Sequence, residues 1–110
     1  MMLQDLIGIP YESRGRSELG ADCWGIIMLA SLHIYDQSLP DYSQYRDSTD
    51  KEQTEPLFEA RRDWQQVPLD AIMPGDVIVL RLMGHPMHAA IYVGDGRMLH
   101  TMSGRDSCLD

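Results

Sequence analysis

From Cys23 to about Tyr35 the chain is apolar on nearly every side of a helical wheel, through Trp24, Ile26, Ile27, Met28, Leu29, Leu32 and Ile34. A helix of that kind cannot lie on a surface, so it has to run through the middle of the fold under cover from other elements. Asp22 just before it has the side chain of a helix N-cap. Cys23 falls in the first turn, where unpaired backbone N–H groups and the helix dipole favour negative charge. This segment demands surrounding structure and carries a thiol at its head.

The cover is expected on both sides in sequence. Leu3 to Gly8 reads as a short helix, and Ile9-Pro10-Tyr11 as extended, because a residue before proline avoids the helical region. Ser13 to Gly20 reads as a glycine-punctuated loop and Pro40 to Thr54 as irregular. Glu55 to Gln66 has the spacing of an amphipathic helix, packing through Leu57, Phe58, Ala60, Arg61 and Trp64. After the Met73-Pro74-Gly75-Asp76 turn signal, Val77 to Leu82 reads as a strand. Gly84-His85-Pro86 reads as a loop, followed by strands at His88 to Val93 and Arg97 to Met102 around a Gly94-Asp95-Gly96 turn. Helices precede strands, so the fold class is α+β with a small antiparallel sheet. A chain of 110 residues accommodates a single domain, 1–110.

The charge balance narrows function. Nine basic residues stand against seventeen acidic ones, a formal net charge of −8. Phosphate backbones require clustered Lys and Arg, yet Lys51 is the single lysine and no arginine cluster exceeds the Arg61-Arg62 pair, so nucleic acid is not the expected partner. The N-terminus lacks the basic and long apolar regions of a secretory signal, and no stretch approaches the roughly twenty apolar residues of a membrane span. The expectation is synthesis in a cytoplasm without a signal peptide and no insertion into membranes. With two cysteines, Cys23 and Cys108, no disulfide framework is expected, and a bridge between them would silence Cys23.

A thiol attacks as its thiolate, and cysteine at its ordinary pKa of about 8.5 is mostly protonated at neutral pH. The helix dipole contributes roughly 0.3–2 kcal/mol toward ionisation, which is insufficient alone. An imidazole has to supply the remainder, pairing with the thiolate as His⁺ and later returning the proton to a leaving amine. His88 and His100 qualify only if they share a face of the sheet. A three-residue Gly94-Asp95-Gly96 loop would pair Val93 with Arg97 and set Ala90 opposite His100, placing His100 diagonal to His88 on the same face. A two-residue Asp95-Gly96 turn would slip the register and flip His100 away. Small Ala90 and Gly25 would let the helix approach that face, bringing Cys23 against His88. A zinc set of His85, His88, His100 and Cys23 is disfavoured, because His85 to His88 runs from loop into strand and no paired cysteines occur. No metal and no cofactor are expected.

These motifs, in this order, resemble the NlpC/P60 family of papain-like cysteine peptidases. The resemblance rests on Gly8-Ile9-Pro10-Tyr11, Asp22-Cys23-Trp24-Gly25, Pro74-Gly75-Asp76, His88-Ala89-Ala90-Ile91-Tyr92, Gly94-Asp95-Gly96 and His100, and covers about Leu6 to Ser103. It implies Cys23 as nucleophile, His88 as general base and acid, and His100 as the residue orienting His88. Tyr11 and the Cys23 N–H would stabilise the oxyanion, and Asp22 would cap the helix or meet a substrate ammonium. The family's substrates are stem peptides of bacterial peptidoglycan. Trp24 and the Gly15-Arg16-Ser17 loop look more like the phage tail branch, implying phage tail proteins as partners and the virion tail as location, with action in the host cell wall or periplasm. Members usually continue for two strands beyond the second histidine. Their expected lack here leaves an open sheet edge, on which a catalytically weak structural tail protein could dock its neighbours.

Overall fold

The computed structural model describes residues 1–42, 64–82 and 85–110. The central helix, α1, runs Cys23–His33. Asp22 caps it as expected, its carboxylate accepting the Gly25 N–H at 2.9 Å. Ile26, Ile27 and Ala30 are fully buried, as the apolar wheel requires. The segment read as a loop before it contains a tight hairpin, β1 (Arg16–Ser17) paired antiparallel with β2 (Gly20–Ala21).

The C-terminal half forms a four-stranded antiparallel sheet in the order β3 (Val77–Leu82), β4 (His85–Gly94), β5 (Arg97–His100) and β6 (Cys108–Leu109). Two departures from expectation stand out. β4 begins at His85, where a loop was expected. The strand β6 covers the far side of β5, pairing Leu99 with Leu109 and His100 with Cys108, so the sheet does not end at the second histidine. Most of the expected helix over 55–66 lies outside the described residues, and Trp64 to Gln66 have no regular structure.

α1 packs on the sheet face carrying Ala89, Ile91 and Leu99, all fully buried in one cluster with Leu6, Ile9, Trp24, Ile26 and Ile27. Strand alternation puts His88 and Ala90 on the opposite face, so Ala90 and Gly25 do not bring the helix onto the histidine face as expected. Gly25 has another use. A β-carbon there would collide with the Gly15 carbonyl, so its bareness lets the β1–β2 hairpin lie directly on α1. Ser107 clips the two ends of the fold together. Its hydroxyl accepts the Ile9 N–H at 2.9 Å and donates to the Leu6 carbonyl at 2.6 Å, while its N–H meets the Ile9 carbonyl.

Candidate active site

The β4–β5 connection decides where His100 points. The chain turns in two residues, Asp95 and Gly96, with Gly94 opposite Arg97. Both central residues have positive φ, 55° and 72°, as a type I′ hairpin turn demands. By itself that turn would send His100 to the wrong face. The register then shifts between Tyr92 and Gly94, so that Tyr92 pairs with Met98 and Ile91 with Leu99. Continuing that register sets Ala90 opposite His100. A short turn followed by a bulge therefore replaces the expected three-residue loop and reaches the same face.

The outcome is a contact between rings. His88 Nε2 and His100 Nδ1 lie 2.9 Å apart, both residues buried, with the rings edge to face. A third group extends the chain: His100 Nε2 is 2.7 Å from Asp110 Oδ2. Asp110 follows directly on β6, its N–H and carbonyl both bonded to Met98. Sequence reasoning missed it, although the Ser103-Gly104 turn signal followed by Cys108-Leu109 could have suggested a last strand folding back beside His100.

Asp110 orders the protons along this chain. Its bond to His100 holds its carboxyl below the usual carboxylate range, so at neutral pH it only accepts. His100 Nε2 must then carry a hydrogen. When that is the hydrogen His100 carries, its Nδ1 accepts, His88 Nε2 donates, and His88 Nδ1 keeps a bare lone pair. The carboxylate thus selects the tautomer in which His88 can take up a proton at Nδ1.

Cys23 reaches the strand that carries this ring. Its Sγ accepts hydrogen bonds from the N–H of Ala89, the residue after His88, and from the N–H of Trp24. The β4–β5 ladder has already ended at Ile91, which leaves the Ala89 position to the thiol. Burial and the adjacent Asp22 carboxylate push the Cys23 pKa up to about 11, outweighing the two N–H groups and the Arg16 guanidinium. Burial and the neighbouring His100 lower His88 to about 4. Both shifts favour the uncharged forms. At neutral pH the thiol and the imidazole are each uncharged, where a thiolate and an imidazolium were expected, because desolvation outweighs what the helix head offers the anion. Both Cys23 and Cys108 are free thiols.

Asp22 is fully buried and serves the fold on several sides. Besides capping Gly25 it accepts the Arg14 N–H at 2.8 Å and one Arg16 nitrogen at 2.8 Å. Arg16 in turn binds Asp41 at 2.6 Å. Of the two readings of Asp22, these contacts serve the cap. Tyr11 is half-buried and bridges in parallel to Ala21, two residues before Cys23. Trp24, 7% exposed, donates from its indole to the Pro40 carbonyl at 2.7 Å and stacks against Tyr42 and Trp64, roofing the start of α1.

A thiol at the head of a buried helix, set against a strand whose histidine leads into a His–Asp chain, defines an α+β fold of the papain-like class. The chain belongs to the NlpC/P60 family, whose model matches residues 8–108. It is 33% identical over 95 residues to a Mycobacterium tuberculosis (H37Rv) protein named Probable endopeptidase, covering 86% of this chain and 20% of that one. It is also 36% identical over 96 residues to the Tail tip assembly protein K of Escherichia phage lambda, covering 84% and 47%. The chain thus spans less than half the length of either relative. Among solved structures it is similar to the NlpC/p60 domain of the peptidoglycan hydrolase SagA, with a TM-score of 0.67, 21% identity, and 97% and 80% coverage. Among the described residues no helix is long and apolar enough to cross a membrane.

Proposed function

We propose that the chain is a cysteine endopeptidase that hydrolyses an amide bond in peptidoglycan stem peptides as a component of a phage tail. The observation that carries this reading is the hydrogen-bonded chain His88–His100–Asp110, built on the same strand whose Ala89 N–H meets the Cys23 thiol. Its family and the names of its relatives support the substrate class and the tail setting.

In this mechanism Cys23 Sγ attacks the amide carbon while its proton passes to His88 Nδ1. Because the resting pair is neutral, the transfer accompanies attack instead of preceding it. The imidazolium that forms is stabilised through His100 by the Asp110 carboxylate. Tyr11 and the Cys23 N–H receive the oxyanion. His88 returns the proton to the leaving amine, and water then cleaves the thioester with His88 again acting as base.

Incubation of the protein with purified peptidoglycan tests this. Amine-bearing fragments should be released by the wild type and fall to background in Cys23→Ala. If wild type and variant leave the wall equally intact while both bind a tail protein, the fold serves as a structural docking module.

A further inference from the structure

The β5–β6 hairpin brings three different metal-binding atoms together next to the histidine pair. Cys108 lies directly opposite His100, and Asp110 follows two residues on along the same face. His100 Nε2, Cys108 Sγ and an Asp110 carboxylate oxygen all lie within 4.8 Å of one another. Two separations are known closely: 2.7 Å from His100 Nε2 to Asp110 Oδ2, and 4.0 Å from Cys108 Sγ to the same oxygen. We infer that His100, Cys108 and Asp110 form a three-ligand site for a zinc-like divalent cation, and that filling it switches off His88 as a base. The second half of that statement rests on the peptidase reading above; the first does not.

The donor set suits the ion. One imidazole nitrogen, one thiolate and one carboxylate oxygen are zinc ligands, and three protein ligands leave a fourth position for water. With bonds of roughly 2.0–2.2 Å to nitrogen and oxygen and roughly 2.3 Å to sulfur, neighbouring ligand atoms lie about 3.3–3.7 Å apart. The present cluster is a proton-bridged version of that triangle. The His100–Asp110 edge has to open by about 0.6–1.0 Å and the sulfur has to close in by at most about 1.5 Å, both within the reach of side-chain torsion. Two further features favour loading. The Arg105 guanidinium lies 3.2 Å from Cys108 Sγ and holds that side chain beside the other two donors. Asp110 also lines an open cleft of about 400 Å³ with Tyr92 and Met98, and its side chain is 53% exposed, which gives the ion a way in. The ring is also held in orientation from its other side, because His100 Nδ1 is bonded to His88.

The consequence for His88 follows from proton bookkeeping. A cation on His100 Nε2 displaces the hydrogen held there by Asp110. Neutral His100 then carries its hydrogen on Nδ1 and donates to His88 Nε2. His88, still neutral, must hold its own hydrogen on Nδ1, the nitrogen that has to be bare to deprotonate Cys23. The proton lost from His100 Nε2 is balanced by the one gained at His88 Nδ1, and a proton from a Cys108 thiol goes to solvent. Metal binding reverses the hydrogen-bond polarity of the chain without charging either ring.

Titration with Co²⁺ and Zn²⁺ tests the site directly. One equivalent should bind per chain, with a thiolate-to-cobalt absorption band that zinc displaces. Cys108→Ser should abolish the band and weaken zinc by at least roughly 10–100-fold, the scale of loss even for outer-shell contacts, while Cys23→Ser should keep it. Asp110→Ala is the second variant and should weaken binding on the same scale. A band lost in Cys23→Ser and retained in Cys108→Ser, or no band in the wild type, overturns the site. In wall cleavage, zinc should inhibit the wild type well below the concentration that inhibits Cys108→Ser. Equal inhibition of the two, with binding intact, overturns the switch and leaves the site standing.

Discussion

The carboxylate of Asp110 stands 2.7 Å from His100 Nε2, and through that ring it sets which nitrogen of His88 carries hydrogen. A residue at the end of β6 thereby governs the proposed base on β4. Asp110→Asn removes the demand, since an amide can accept from or donate to the same nitrogen. Wall cleavage should fall by roughly 10–100-fold, less than the 10⁴ seen where a carboxylate touches the base itself. The thermal midpoint should barely move, and Asp110→Glu should recover part of the rate. Steady-state cleavage of soluble fragments checks this.

Alkylation should report a protonated thiol. With the Cys23 pKa raised to about 11, its iodoacetamide labelling, resolved by peptide mass spectrometry, should still be climbing between about pH 8 and pH 10, above the ordinary cysteine value. A plateau below pH 7 in the resting protein would mean a standing thiolate and would defeat the neutral-pair description.

The acid limb of stability should come from His88. Its pKa falls from 6.5 unfolded to about 4 folded, so between those values the unfolded chain binds more protons and stability drops as pH falls. The contribution is present above pH 6.5 and is lost as pH is lowered toward about 4. Thermal unfolding followed from pH 7 to pH 4 should show a steeper decline for wild type than for His88→Gln. A parallel decline in both would remove His88 as the cause.

Gly25→Ala tests the hairpin seat. The added methyl would meet the Gly15 carbonyl, and neither backbone can retreat without lifting β1–β2 from α1. Overpacking of this kind costs typically 1–3 kcal/mol, so the thermal midpoint should fall by several degrees, at about 4–8 °C per kcal/mol for a domain near this size. Cys23 labelling should also quicken as the cover over α1 loosens, which differential scanning calorimetry and alkylation can follow together.

What could be read from residues alone divides along the range of the forces involved. The helix Cys23–His33 and its Asp22 cap were legible because apolar spacing and capping are local. Strand Val77–Leu82 was legible for the same reason. The shared face of His88 and His100 was anticipated through the wrong turn, since a bulge at Val93 carries no residue signature and a Gly94-Asp95-Gly96 run suits either loop length. Asp110 escaped notice because its partner depends on β6, a two-residue strand defined by pairing and not by pattern. The raised pKa of Cys23 was likewise invisible: it reflects how far its surroundings exclude water, a property of tertiary cover.

Ser107 ties residues 6 and 9 to the segment that leads into β6, so the strands of chain entering and leaving this fold run side by side. A unit whose entrance and exit adjoin can be spliced into a longer polypeptide as a lateral bead, adding no length between its neighbours. It also suits circular permutation: a short bridge across that seam, with a new opening at the exposed Asp95-Gly96 tip, should leave the Cys23 and His88 neighbourhood unaltered.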